Sequence, residues 1–299
     1  MDREIIVEAP AKINLTLDIL GKRADGYHEL ETVMHQISLA DRVHLFPHRQ
    51  GIILDTNSSE IPHDQNNLAY RAAELALGKY GDREGIGIFI EKNIPVGAGL
   101  AGGSTDAAAV LLGLDHLMGW HLSEGSLLDM AAALGSDVPF CMLGMPLLKR
   151  SDNRYAVTGA TALARGRGEI MSPLPAKVIH NIVLVKPAFQ MSTAEVYRDF
   201  RMERVGEHPD TGIFIETWAG GDNKDIARYM VNVLETVSVA KKPEIGQLKQ
   251  RLVQMGAACA LMSGSGPSVF GIFEARAQAE TAVLELKKDY QEAFLVSSY

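Results

Sequence analysis

The densest chemical signal in the chain is a run of glycines. Pro95-Val96-Gly97-Ala98-Gly99-Leu100-Ala101-Gly102-Gly103-Ser104-Thr105 follows a short apolar stretch, Ile86 to Ile90, and precedes a segment rich in alanine and leucine at helical spacing. Four glycines in so short a loop let the backbone approach a ligand that a Cβ would hold away. The unpaired N–H groups and partial positive charge at the start of the next helix suit a phosphate. No Lys-Ser or Lys-Thr follows the glycines, so this is not a Walker A loop. A dinucleotide fingerprint is also excluded, because the later acidic ribose ligand and the parallel-strand rhythm are missing. A bare strand-to-helix connection is the alternative, but a turn needs only one or two glycines. The loop is therefore read as a phosphate site.

Four weaker clusters surround it. Gly135-Ser136-Asp137-Val138-Pro139 sets a carboxylate just past a helix end. Beside a bound hydroxyl, Asp137 is a general base for phosphoryl transfer; taken alone, a turn or cap residue is the commoner use. Lys12, in Ala9-Pro10-Ala11-Lys12-Ile13-Asn14-Leu15, taken alone reads as an edge charge, and acquires chemical meaning only if it meets Asp137. In Asp25-Gly26-Tyr27-His28-Glu29 a turn is followed by an aromatic and an imidazole. These can stack on a flat ring and bind its edge, or simply form a hairpin with a half-buried tyrosine. Leu261 to Ser268, with Gly264, Ser265 and Gly266, is either a hairpin turn or a second backbone nest supporting the first loop. The nine histidines contain no His-Glu-x-x-His, so no histidine-ligated metal site is expected.

These residues need elements to hold them. Alternation of Ile13, Leu15, Leu17 and Ile19 with Asn14, Thr16 and Asp18 predicts a half-buried strand from Lys12 to Ile19. A turn at Arg23 to Gly26 and a strand from Arg42 to Phe46 follow. Asn66 or Asn67 caps a helix that runs to Gly81, and helices are expected at Ser104–Met118 and Ser123–Leu134. Beyond them come a strand at Ile182–Lys186, a capping box at Ser192-Thr193-Ala194-Glu195, and helices at Asp225–Val237, Pro243–Met255 and Ala277–Lys288. Strands Ala258–Met262 and Ser268–Phe273 flank the second glycine turn. This rhythm predicts an α+β chain of two domains, residues 1–164 and 165–299.

The 299 residues suffice for a proper core, and 46% hydrophobic with 22% charged residues excludes a disordered chain. A formal net charge of −8 argues against nucleic acid and anionic membranes as partners. The charged start Met1-Asp2-Arg3-Glu4 does not read as a signal peptide, and no run of about 18 apolar residues occurs. Two cysteines are too few for a disulfide framework or a zinc site. A cytoplasmic protein, monomeric or homodimeric, is expected.

Taken together and in order, the clusters resemble the GHMP kinases. Their three motifs correspond to Pro10-Ala11-Lys12-Ile13-Asn14-Leu15, Pro95 to Thr105, and Ser263-Gly264-Ser265-Gly266-Pro267. Arg23 to Glu29, Gly135-Ser136-Asp137-Val138-Pro139-Phe140 and Gly166-Arg167-Gly168-Glu169 are similar to the branch that phosphorylates 4-diphosphocytidyl-2-C-methyl-D-erythritol on its 2-hydroxyl, and the similarity covers almost the whole chain. The resemblance implies an N-terminal domain like domain 2 of ribosomal protein S5 and a ferredoxin-like C-terminal domain. It implies that Asp137 takes the substrate proton and that Lys12 keeps that carboxylate ionised and steadies the alkoxide. Tyr27 and Tyr197 would sandwich the cytosine, His28 would read its edge, and Asn14 and Thr193 would line the substrate site. Asn67, Leu68 and Lys92 would hold the adenine, and the loop Pro95 to Thr105 would wrap the phosphates of ATP. Mg²⁺ would be held mainly by those phosphates. Met145 to Thr158, with Lys149-Arg150-Ser151-Asp152-Asn153-Arg154, is interposed relative to the family pattern and reads as a surface loop. Two rivals remain: a GHMP kinase for homoserine or mevalonate, and a catalytically silent ligand sensor.

Overall fold

A computed structural model describes residues 4–81, 85–145 and 159–299. In chain order the elements are β1 (Ile5–Lys22), β2 (His28–His48), β3 (Ile52–Thr56), α1 (Leu68–Tyr80), β4 (Gly85–Glu91), α2 (Gly102–Met118), α3 (Glu124–Leu134) and α4 (Val138–Leu143). There follow β5 (Thr161–Gly166), β6 (Ile170–Pro173), β7 (Ile182–Lys186), α5 (Thr193–Asp199), α6 (Thr211–Gly220), α7 (Asn223–Ala227) and α8 (Glu235–Lys241). The chain ends with α9 (Pro243–Gln254), β8 (Cys259–Met262), β9 (Val269–Ile272), α10 (Arg276–Leu286) and β10 (Glu292–Val296). No helix among the described residues is long and apolar enough to cross a membrane.

The chain divides into two compact units, and neither is one continuous stretch. The first comprises Met1–Ala11, Leu39–Val96 and Ala101–Gly159; the second comprises Lys12–Ser38, Gly97–Leu100 and Ala160–Tyr299. A single cut at residue 164 does not describe this division, because the strands β1 and β2 each contribute residues to both units.

In the first unit the end of β2 pairs antiparallel with β4, from Arg42 with Glu91 to His48 with Gly85. β3 runs parallel on the other side of β4, from Ile52 with Ile86 to Thr56 with Ile90. Val43, Leu45, Ile86, Ile88 and Ile90 are buried against Ala69, Ala72, Ala73 and Ala76 of α1 and Leu111 and Leu114 of α2. Alanine favours helix and keeps helix surfaces slim, so α1 and α2 lie close together. The approach of α2 to the sheet is tighter still at Gly113, where a Cβ would stand 2.2 Å from Leu45 Cδ1. Asn67 caps α1 through Ala69 N–H, as the sequence predicts, and Ser123 caps α3 through Ser126 N–H. Helix α2 begins at Gly102, two residues before the expected Ser104.

In the second unit the beginning of β2 pairs antiparallel with β5, from Leu30 with Gly166 to His35 with Thr161, and β5 pairs with β6. A separate antiparallel sheet has the order β10-β7-β9-β8. α9 covers β8 and β9, and α10 covers β7 and β10. Ile245, Leu248 and Leu252 repeat at helical spacing on the buried face of α9 and meet Val185, Val269 and Met262 in one core with Leu17 and Ile19 of β1.

Two expectations are corrected. The strand from Lys12 to Ile19 is buried on both faces, because Asn14, Thr16 and Asp18 find hydrogen bonds within the protein instead of water. The helix expected over Asp225–Val237 is broken into α7 and α8. Between them Leu17 N–H donates to Val231 O (2.8 Å) and Val233 N–H donates to Leu17 O (3.0 Å), so this backbone pairs with β1 instead of with itself. The interposed segment, apart from the buried Met145, lies outside the described residues.

Candidate active site

The glycine loop leaves β4 through a charged knot in the first unit. Asp41 Oδ1 accepts from the backbone N–H groups of Asn93 (2.6 Å) and Ile94 (2.7 Å), fixing the path out of the strand. Lys92 Nζ donates to the other Asp41 oxygen and, at 2.9 Å, to Asp106 Oδ2 in the first turns of α2. Ala101, at φ 59°, caps α2 in the left-handed region without any side-chain cap bond, which leaves the helix start without a built-in anion. A Cβ on Gly102 would lie 2.8 Å from Lys92 Nζ, whereas one on Gly103 would meet nothing within 4 Å. Lys92, expected at the adenine, is thus bound to two carboxylates. Burial pushes the Asp106 carboxyl up to about 8, against the pull of Lys92. Its Oδ1, like the Thr105 hydroxyl, has no partner among the described residues.

Asn67 and Leu68 stand at the start of α1 in the same unit. The Asn67 amide is committed to the cap and to Pro62 O (2.8 Å). Asp137 is half-buried at the start of α4, yet its side chain makes no cap bond there; the short helix is started by the Asp137 backbone carbonyl, which accepts from Cys141 N–H at 3.0 Å. The carboxylate is therefore not needed for the cap.

The middle of the loop, Gly97 to Leu100, belongs to the second unit and meets the second glycine turn there. Ser263 Oγ donates to Gly99 O (3.0 Å), Ser268 N–H to Ala98 O (3.3 Å) and Lys12 N–H to Leu100 O (3.1 Å). Gly99 has φ +77°, and a Cβ there would come within 2.4 Å of Ser263 O, so no other residue fits. The Lys12 ammonium is buried and donates to Asn14 Oδ1 (2.8 Å), while Asn14 Nδ2 donates to Thr32 Oγ1 (2.8 Å). Read alone as an edge charge, Lys12 proves to be an interior cation held by a relay of side chains. Thr193 and Ser265 share a hydrogen bond of 2.8 Å, joining the capping box to the turn.

The aromatic set also gathers in the second unit. The turn closes through Arg23 N–H to Tyr27 O (2.8 Å), with Gly26 at φ +86°. His28 lies 5.6 Å from the Tyr197 ring, tilted by 36°, and edge-on to Phe200 at 6.4 Å. Burial, then the Lys22 charge, lower its pKa, so near neutral pH the imidazole offers one donor and one acceptor. Tyr27 is 58% exposed with the Arg167 guanidinium 5.1 Å from its ring centre. Sequence reasoning assigned no role to Arg167 or Phe200, nor to Asp41 and Asp106. An acidic residue between Thr105 and Ala107 in an apolar helix was the available signal for Asp106; Asp41, 51 residues from Lys92, gave none.

A glycine loop opening a long helix, a buried lysine within β1 and a second glycine turn are the parts expected of a GHMP kinase. The description "GHMP kinases N terminal domain" matches residues 67–145, and "GHMP kinases C terminal" matches residues 214–292. The 4-diphosphocytidyl-2-C-methyl-D-erythritol kinase of Syntrophomonas wolfei subsp. wolfei is 55% identical over 299 residues, 100% of both chains. A crystal structure of 4-(cytidine 5'-diphospho)-2C-methyl-D-erythritol kinase superposes with a TM-score of 0.81 at 35% identity, over 99% of this chain and 100% of the other. The L. major mevalonate kinase structure, with a TM-score of 0.73 at 17% identity over 99% of this chain and 96% of that one, shares the fold alone. The chain belongs to the GHMP kinases and, within them, to the family of 4-diphosphocytidyl-2-C-methyl-D-erythritol kinases.

Proposed function

We propose that this kinase transfers the γ-phosphoryl group of ATP to the 2-hydroxyl of 4-diphosphocytidyl-2-C-methyl-D-erythritol, a step of non-mevalonate isoprenoid-precursor synthesis in the cytoplasm. The observation that carries this reading is the full-length identity of 55% to a relative of that name. The new bond joins the substrate oxygen to Pγ, the bond from Pγ to the bridging oxygen breaks, and ADP leaves. Asp137 accepts the hydroxyl proton as general base. The buried ammonium of Lys12 stabilises the negative charge that develops on the oxygen. Tyr27 and Tyr197 hold the cytosine faces, and neutral His28, with both a donor and an acceptor, reads its edge. Asn14 and Thr193 orient the polyol, and Pro95 to Thr105 bind the phosphates through backbone N–H groups and the α2 dipole. Asn67, Leu68 and Lys92 are assigned to the adenine, Lys92 through its backbone since its ammonium is committed to Asp41 and Asp106.

Mg²⁺ fits this arrangement as a companion of the nucleotide. Among the described residues no group of three His, Cys, Asp or Glu could hold a metal, and Mg²⁺ is commonly held by substrate phosphates, waters and one or two protein oxygens. The Thr105 hydroxyl, buried and without a described partner, is a candidate oxygen. The ion would neutralise phosphate charge during transfer.

The test is an assay of ADP release with the cytidyl substrate, homoserine and mevalonate in parallel. Turnover with the cytidyl compound alone is expected. Turnover with either small alcohol and none with the cytidyl compound would refute the substrate assignment; cytidyl binding without turnover on any of them would favour a ligand sensor.

A further inference from the structure

A buried asparagine outside every motif joins the parts of the site that lie in the second unit. Asn232 is 3% exposed and stands in the backbone that interrupts the helix expected over Asp225–Val237. Its Nδ2 donates twice, to Met262 O and to Gly264 O, each at 2.8 Å, and its Oδ1 accepts from Leu234 N–H at 3.0 Å. The helix that follows, α8, adds two more bonds, one to the end of β8 and one to the turn. Glu235 Oε1 accepts from Met262 N–H (2.8 Å), and Ser238 Oγ donates to Ser265 O (3.1 Å).

These bonds close a ring that begins and ends on β1. Leu17 of β1 bridges to residues 231–233; Asn232 holds the turn at Gly264; Ser263 of that turn holds Gly99 of the phosphate loop; and Leu100 O returns to Lys12 N–H on β1. Inside the ring, a Cβ on Gly264 would stand 3.4 Å from Asn14 Oδ1 and 3.6 Å from Lys12 Nζ. Moving the turn by a fraction of an ångström therefore moves the walls around the Lys12 ammonium.

We propose that Asn232 is a positioning residue of the kinase site, setting the distance between the phosphate loop at Gly99 and the ammonium of Lys12 by way of the 263–266 turn. The proposal rests on the reading of that loop as the phosphate site. The bland account is a cap for α8. A cap needs only the acceptor, which Asp or Ser supplies equally well; an amide is required to accept once and donate twice.

That difference sets the test. Asn232→Asp keeps the acceptor and the shape but removes both donors. Leu286→Ala, on α10 in the same core, is the control for general loosening. ADP affinity by calorimetry and kcat and KM by coupled assay are read at a temperature where circular dichroism shows each variant folded. The expected result for Asn232→Asp is an ADP Kd weakened about 10- to 100-fold and a comparable fall in kcat, as befits two buried carbonyls left unpaired, with KM for the alcohol nearly unchanged. Leu286→Ala should keep wild-type Kd and kcat despite a lower Tm. If Asn232→Asp does not fold, Ser238→Ala, which removes a single bond to the turn, decides the matter with an expected loss of about 3- to 10-fold in the same two quantities. Wild-type Kd and kcat in the deciding variant, or an equal loss in Leu286→Ala, would overturn the proposal. Failure of wild-type protein to bind ADP would instead overturn the phosphate-loop reading, which keeps the two failures apart.

Discussion

Two carboxylates make contrasting predictions at the scale of single residues. Asp137→Asn should lower kcat by about 10²-fold or more, the usual scale of general-base catalysis, and leave ADP affinity intact. Near-normal turnover in steady-state assays would remove Asp137 from the mechanism. Asp106 is instead a stability group. Its carboxyl stays protonated up to about 8 in the folded chain because it is buried, while in the unfolded chain it ionises near an ordinary value of about 3.9. Between those values unfolding releases a proton, so rising pH favours the unfolded chain and stability falls until about pH 8. Asp106→Asn can still accept from Lys92 and cannot ionise. Urea titrations from pH 5 to 9 should therefore show a flatter stability profile than wild type, with the variant gaining relative to wild type as pH rises; parallel profiles would show that Asp106 does not titrate. At this scale residue types singled out Lys12, Asp137, Tyr27 and His28 as candidates, but each had a plain structural use as well, and their proposed roles come from the resemblance to the GHMP kinases. The environment of Lys12 was not legible, because an apolar strand with a lysine looks the same whether it lies at an edge or in the interior. Of the partners of Lys92, Asp106 left a signal as an acid in an apolar helix, whereas Asp41, 51 residues away, left none because only folding brings it there.

Elements with local signals were legible to within a residue or two. α1, α3 and α5 announce themselves by their caps, α9 by its spacing, and β7 by a buried apolar run. β3, β5, β6 and β10 escaped attention because short strands are decided by pairing partners, which carry no local mark. The false helix over Asp225–Val237 fails for the same reason: the bridge to Leu17 and the three bonds of Asn232 outweigh local propensity. The glycine loop then makes a contrasting prediction. Gly99→Ala should weaken ADP binding severely, since its Cβ would collide with the Ser263 backbone and its φ is left-handed, whereas Gly78→Ala, near the end of α1 and outside the loop, should bind as wild type because a Cβ there meets nothing within 4 Å. Calorimetric titration of both variants checks this; equal affinities would mean the loop is only a connection.

For the molecule as a whole, the interleaving of the two units is the dominant fact. The second unit takes its β1 and β2 portions, Lys12–Ser38, from the beginning of the chain and the rest of its sheets from residues after 160. A fragment of residues 160–299 lacks Leu17 and Ile19 of the core, the β2 strand that pairs with one edge of β5, and the bridge to Asn232. Each fully buried leucine or isoleucine is worth about 1.5–3 kcal/mol, a large share of an ordinary net stability of about 5–15 kcal/mol. The isolated fragment should therefore show no cooperative urea transition by circular dichroism, and a sharp transition would mean that the first strands are dispensable. The same connectivity has a consequence for biosynthesis. The strands at Lys12–Ser38 leave the ribosome early, but their partners from Ala160 onward are not yet made. At about 5–20 residues per second the wait is on the order of ten seconds, with an apolar hairpin exposed throughout. Translation speed and chaperone occupancy over the first half of the message, more than the stability of the finished fold, should set the yield of soluble protein.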